Sequence, residues 1–198
     1  MRVSILDYGA KTDGSLCTSA IQAAIDDCFL HGGGTVEVPA GTFLTGGIRL
    51  RSHITLKLKR GACLMGTRNP ADYDILAGDA VEPVDPALMT DNRWTPARAR
   101  ESYDFLIKAG STWNNGLIRI LNAEDVAVIG EDGSFIDGAD CFDENGEEWY
   151  RGPHGVSVWN SKNLHFEGYT ARNTGNWAHS VHESQHITVE NGKRLYRI

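Results

Sequence analysis

Two short apolar pairs, separated by a polar corner, recur along this chain at a fixed interval. "LIRILNAEDVAVIG" (117–130), "GVSVWNSKNLHFEG" (155–168) and "AHSVHESQHITVEN" (178–191) align without gaps. Ile118/Ile120, Val156/Val158 and His179/Val181 coincide, as do Val126/Val128, Leu164/Phe166 and Ile187/Val189 downstream. Val158 and Val181 are 23 residues apart, and Ile120 and Val158 are 38 apart. The surplus of 15 is the acidic insertion "ADCFDENGEEWYRGP" at 139–153. "IRLRSHITL" from Ile48 is a fourth, looser copy.

Residues at i and i+2 of a strand share a face, so each copy is two strands with one apolar side. A leucine-rich repeat has a compatible period, but no copy carries its L-x-x-L-x-L core. Two strands per copy joined by a polar corner predict an all-β, right-handed parallel β-helix. Asn122 and Asn160 occupy the same corner of successive coils, where their amides can stack; the third copy has Glu183 there.

Coils hydrogen-bond to their neighbours, so the end coils are open edges that need cover. "TSAIQAAIDDCFL" (18–30) places Ala20, Ile21, Ala24, Ile25 and Cys28 on one helical face. Thr18 or Ser19 is a candidate N-cap, and "HGGG" at 31–34 ends the helix. This helix is expected to plug the N-terminal end. "ENGKRLYRI" breaks the alternation, so an uncapped C-terminal edge and self-association through it are expected. The expected organisation is a single, incomplete β-helix domain over 1–198, with long insertions at 67–104 and 139–153.

A net charge of -7 and a pI near 5.4 argue against a nucleic-acid binder, whose footprint is a basic stripe. No apolar run approaches the ~18 residues that span a bilayer, so no membrane partner is expected. "MRVSILDYGAK" is not a leader sequence. The chain as given therefore reads as cytoplasmic, or secreted or periplasmic if a leader was removed. Cys17, Cys28, Cys63 and Cys141 share no C-x-x-C spacing, which argues for reduced, buried thiols rather than a zinc site.

"LDYGAKTDG", "GGGTVEVPAGTFLTGGIRLRSHITLKLKRGACLMGT", "VAVIGEDGSFIDG" and "RGPHGVSVWNSKNLHFEGYTARNTGNWAHSVHESQHITVEN" occur in one order along the chain. Together they resemble the N-terminal portion of the polygalacturonase-type glycoside hydrolases, family 28. The resemblance covers about residues 5–192, and "RW" at 93–94 also fits it. It implies hydrolysis of galacturonate-containing pectic polysaccharide, by inversion and without a cofactor. Inversion uses an acid and a base about 6.5–9.5 Å apart, with water between them. The family carries these as Asn-Thr-Asp and a following Asp-Asp, with later Gly-His-Gly and Arg-Ile-Lys motifs.

None of those motifs is here. Asn173-Thr174-Gly175 lacks the carboxylate and lies one coil early, and Asp26-Asp27 is in the helix. "PHGVSV" follows no Asp-Asp coil, and Arg197-Ile198 has no lysine after it. The catalytic aspartates are therefore expected on coils beyond residue 198, and this chain alone is expected to be inactive.

By the same resemblance, His154-Gly155 stands where the catalytic Asp-Gly would stand two coils later. Trp177 takes that place on the coil between, with His179 two residues on. His154, Trp177 and His179 are thus candidate substrate-binding residues, with Trp177 stacking on a sugar. The 67–104 segment is a candidate groove wall, where Arg93, Arg98 and Arg100 could meet galacturonate carboxylates. "DGADCFDENGEEW" offers Asp137, Asp140, Asp143, Glu144 and Glu147 but no EF-hand spacing, so it reads as a solvated loop without metal. The alternatives are a non-catalytic carbohydrate-binding β-helix of the phage tail-fibre kind, a pectate lyase with a calcium site, and a structural scaffold.

Overall fold

The computed structural model describes residues 1–76, 115–144 and 150–195. Among the described residues fifteen strands form three sheets, and every strand pair is parallel. The six-stranded sheet stacks β1 (Arg2–Ser4), β2 (Gly34–Val38), β5 (Ile54–Leu58), β8 (Glu124–Gly130), β11 (Lys162–Glu167) and β14 (Gln185–Glu190). The five-stranded sheet stacks β3 (Gly41–Thr45), β6 (Ala62–Gly66), β9 (Phe135–Asp137), β12 (Thr170–Arg172) and β15 (Lys193–Leu195). The four-stranded sheet stacks β4 (Ile48–Leu50), β7 (Gly116–Leu121), β10 (His154–Trp159) and β13 (His179–His182). Each turn of the chain adds one strand to each sheet in rotation. This is a right-handed parallel β-helix.

The register follows the apolar repeat. Ile48, Ile118, Val156 and His179 align on one row, and Val126, Leu164 and Ile187 on another. Inward residues such as Val36, Leu56, Val128, Ile118 and Val156 are fully buried. The corners are sharp, and non-glycine residues adopt left-handed backbone there. Asn122 and Asn160 have φ of 50° and 44°, and Nδ2 of Asn160 donates to Oδ1 of Asn122 at 2.9 Å. A second corner row runs His53, Asp125, Asn163, His186, all with positive φ. Asn163 donates to Asp125 at 2.9 Å and meets His186 Nδ1 at 3.1 Å. Asn and Asp tolerate this conformation because their short polar side chains bond locally.

A 3-10 turn at Ile5–Tyr8 (η1) precedes helix α1, Thr18–Leu30. Ile21, Ala24, Ile25 and Cys28 of α1 have no exposed surface, and the helix covers the β1–β2–β4 end of the coil. Burying each isoleucine contributes about 1.5–3 kcal/mol. The cap differs from the sequence expectation. Cys17 is the N-cap residue and makes no side-chain cap bond, while Oγ1 of Thr18 accepts the backbone N–H of Gly46 at 2.7 Å. A tertiary partner has taken the hydroxyl that would have capped the helix. The far end does follow expectation, with Gly33 N–H closing onto the Cys28 carbonyl at 2.9 Å.

At the opposite end, β13, β14 and β15 are the outermost strands among the described residues. A cavity of about 260 Å³ opens there, lined by Phe166, Tyr169, Ala178, His179, Val189 and Lys193. Val181 and Val189 are exposed beside it. In the first insertion, Pro70–Leu76 (η2) packs on the coil, with Tyr73 buried and donating to the Thr67 carbonyl at 2.8 Å. Residues 77–114, with Arg93, Arg98 and Arg100, lie outside the described residues.

Candidate functional site

Alternation places Arg49, Arg119, Ser157 and Ser180 in one outward row of the four-stranded sheet. Leu121, Trp159 and His182 form the next row. Arg119, Ser157 and Trp159 are nonetheless buried, so much of this face is covered. His182 stacks on Trp159 with 5.0 Å between ring centroids, and its Nε2 lies 2.9 Å from Oγ of Ser180. Burial lowers the His182 pKa, against a smaller opposing effect of Glu183. The strands of this sheet contain no Asp or Glu, so they hold no pair of carboxylates for acid–base work.

The predicted residues do not share one face. His154 belongs to the inward row of Val156 and Val158 and is buried, with its N–H donating to the Asn115 carbonyl at 2.8 Å. His179 pairs with Val156 and turns toward the lumen of the coil. Its Nε2 is 2.5 Å from Oη of Tyr169, and its ring meets Phe166 edge-on at 5.5 Å. Burial pushes the Tyr169 pKa far up, so the phenol stays protonated beside the imidazole. His154 and His179, candidate substrate-binding residues by the resemblance, thus lie off the outward rows of this sheet. Both have the parity of the inward valines, and parity sets the side.

Trp177 behaves differently because it precedes β13, in an irregular corner. It is 52% exposed. Its backbone N–H donates to Oδ1 of Asn176 at 3.0 Å, and its carbonyl accepts from Gly155 at 2.9 Å. Arg151, at the end of the second insertion, donates from Nη1 to the same Asn176 oxygen at 3.1 Å. Its guanidinium carbon stands 5.8 Å from the Trp177 ring centroid, within cation–π range. Asn176 is itself tied by Thr174, whose hydroxyl donates to its carbonyl at 2.7 Å. The insertion closes onto this corner through Gly152 N–H to the Gly175 carbonyl at 3.3 Å. Phe142 and Tyr150 of the insertion are also exposed, at 63% and 57%. Trp177 and Arg151 give an exposed aromatic ring beside a guanidinium, a pairing suited to a sugar.

Among the described residues no group of His, Cys, Asp and Glu is placed to hold a metal ion. Asp137 is committed elsewhere, accepting from Arg172 Nε at 2.6 Å, Asn173 Nδ2 at 3.1 Å and Ala139 N at 2.9 Å. All four cysteines are free and buried, and burial raises the Cys63 and Cys141 thiols to about 11. They are not nucleophiles near neutral pH.

No protein-family model matches the chain. It is 53% identical over 72 residues to the exo-poly-alpha-D-galacturonosidase of Dickeya chrysanthemi, which is 36% of this chain and 12% of that protein. A probable polygalacturonase of Vitis vinifera is 29% identical over 201 residues, 94% of this chain and 35% of that protein. The chain is similar in sequence to polygalacturonases. The hyperthermoactive exopolygalacturonase of Thermotoga maritima has the same fold, with a TM-score of 0.70 over 99% of this chain and 47% of that one, at 20% identity. The chain thus spans well under two thirds of the length of these relatives.

Proposed function

We propose that this chain is the N-terminal part of a glycoside hydrolase that cuts galacturonate-containing pectic polysaccharide by inversion. The observation that carries the reading is the polygalacturonase similarity along 94% of the chain. The β-helix and the exposed Trp177 support it. In this reading the present coils bind sugar units beside the scissile bond, and the catalytic carboxylates come from other coils. The 198 residues alone bind pectic oligosaccharide and do not cleave it, since the strands of the four-stranded sheet have no carboxylate.

Titrating the chain with trigalacturonate, read by tryptophan fluorescence and calorimetry, tests binding. A reducing-end assay on polygalacturonate tests cleavage. Saturable binding without product is the expected result. Absence of binding, or hydrolysis by the isolated chain, overturns the proposal.

Self-association belongs to the same reading. The outermost strands β13, β14 and β15 offer backbone donors and acceptors beside exposed Val181 and Val189. Sedimentation velocity should show concentration-dependent association, and a monomer at every concentration would refute it.

A further inference from the structure

The Trp177 corner carries a guanidinium, and its placement bears on which kind of sugar the corner takes. We infer that Arg151 is the specificity residue of this corner, selecting a uronate over its neutral ester. The inference rests on the pectic reading above.

The Arg151 guanidinium stands 5.8 Å from the Trp177 ring centroid and donates to the Asn176 amide oxygen at 3.1 Å. Asn176 is held in turn by the Trp177 N–H and the Thr174 hydroxyl. The guanidinium is thereby positioned before any ligand arrives, which lowers the ordering cost of binding. Its planar fork matches a carboxylate in a way that an ammonium does not. A sugar ring stacked on the exposed part of Trp177 would put a C6 carboxylate within reach of that fork.

The test is calorimetric titration of the full chain with trigalacturonate and with its fully methyl-esterified form. The wild-type chain should bind the acid more tightly. Arg151→Gln should lose about tenfold in affinity for the acid, as expected for a hydrogen-bonded charge pair, and bind the ester unchanged. Arg151→Lys should keep part of the preference, and Trp177→Ala should lose both ligands. Melting curves for each variant check that the fold is intact. If Arg151→Gln binds with the wild-type ratio of acid to ester, the inference fails while the pectic reading stands. If the wild-type chain binds neither ligand, both fail.

Discussion

The imidazole of His182 lies on the indole of Trp159 one coil below, at 5.0 Å and 29° between ring planes. Nε2 of the same ring meets Oγ of Ser180 at 2.9 Å. Burial disfavours the imidazolium, so the folded pKa is below the unfolded value near 6.5. The folded chain then binds fewer protons than the unfolded chain across the window between those two values. The stabilising contribution is full above the unfolded pKa and is lost as pH falls through the folded one.

Thermal melts should therefore show a stability decline below about pH 6.5, the unfolded histidine value, that His182→Phe reduces. Phenylalanine keeps the stack on Trp159 and cannot protonate. An acid limb unchanged in the variant would remove His182 from the explanation.

Gly175 stands where Asn173-Thr174 suggests an aspartate, and the structure says what an aspartate would do. A Cβ there would lie 2.1 Å from the Cys141 carbonyl oxygen and 2.9 Å from Cα of Gly152. Gly175→Asp should cost about 3 kcal/mol in urea titration, the upper range for forced overpacking, and should confer no hydrolysis. Gain of reducing-end release on polygalacturonate would show that the motif was a damaged catalytic one after all.

Asp137 is 3% exposed and takes three hydrogen bonds, one from the guanidinium of Arg172, which also covers Phe135 at 4.1 Å. Replacing it by alanine leaves a partly buried cation without its carboxylate and should destabilise by about 3 kcal/mol. Denaturant midpoints measure this, and the double variant with Arg172→Met should recover part of the loss. A neutral single variant would contradict it.

The corner amides give a two-part test. Asn160 has φ of 44° and bonds Asn122 at 2.9 Å. Asn160→Ala should lose the bond and add left-handed strain, about 2 kcal/mol together, whereas Asn160→Gly should lose only the bond, about 1 kcal/mol. Equal costs for the two variants would mean that the backbone conformation there is not strained.

Much of the fold was legible because burial in a coil imposes a strict period of two. Ile118, Val156, Val128 and Phe166 could only face one way, and the 23-residue spacing set which of them stack. The same spacing separates Trp159 from His182, so that stack was readable in principle. The parity of His154 and His179 with Val156 is legible in the same way and sets both on the inward side of the sheet. The Thr18 cap failed because its partner, Gly46, is 28 residues away and no local rule can see it. Arg151 was hidden for a related reason. It lies 26 residues before Trp177, at no repeat of the coil, and only the path of the insertion brings the two together.

Helix α1 precedes β2 to β15 in the chain and covers the end of the coil formed by β1, β2 and β4. On a ribosome it would be finished before any of those later strands appears, giving them a floor to settle on. One coil of 23 residues takes ~1–5 s to emerge at common elongation rates, far longer than local strand closure requires. Synthesis and assembly can then run in step, each turn docking on the last. Refolding from denaturant has no such order, and the same polypeptide should return more slowly and with more aggregation than when it is made.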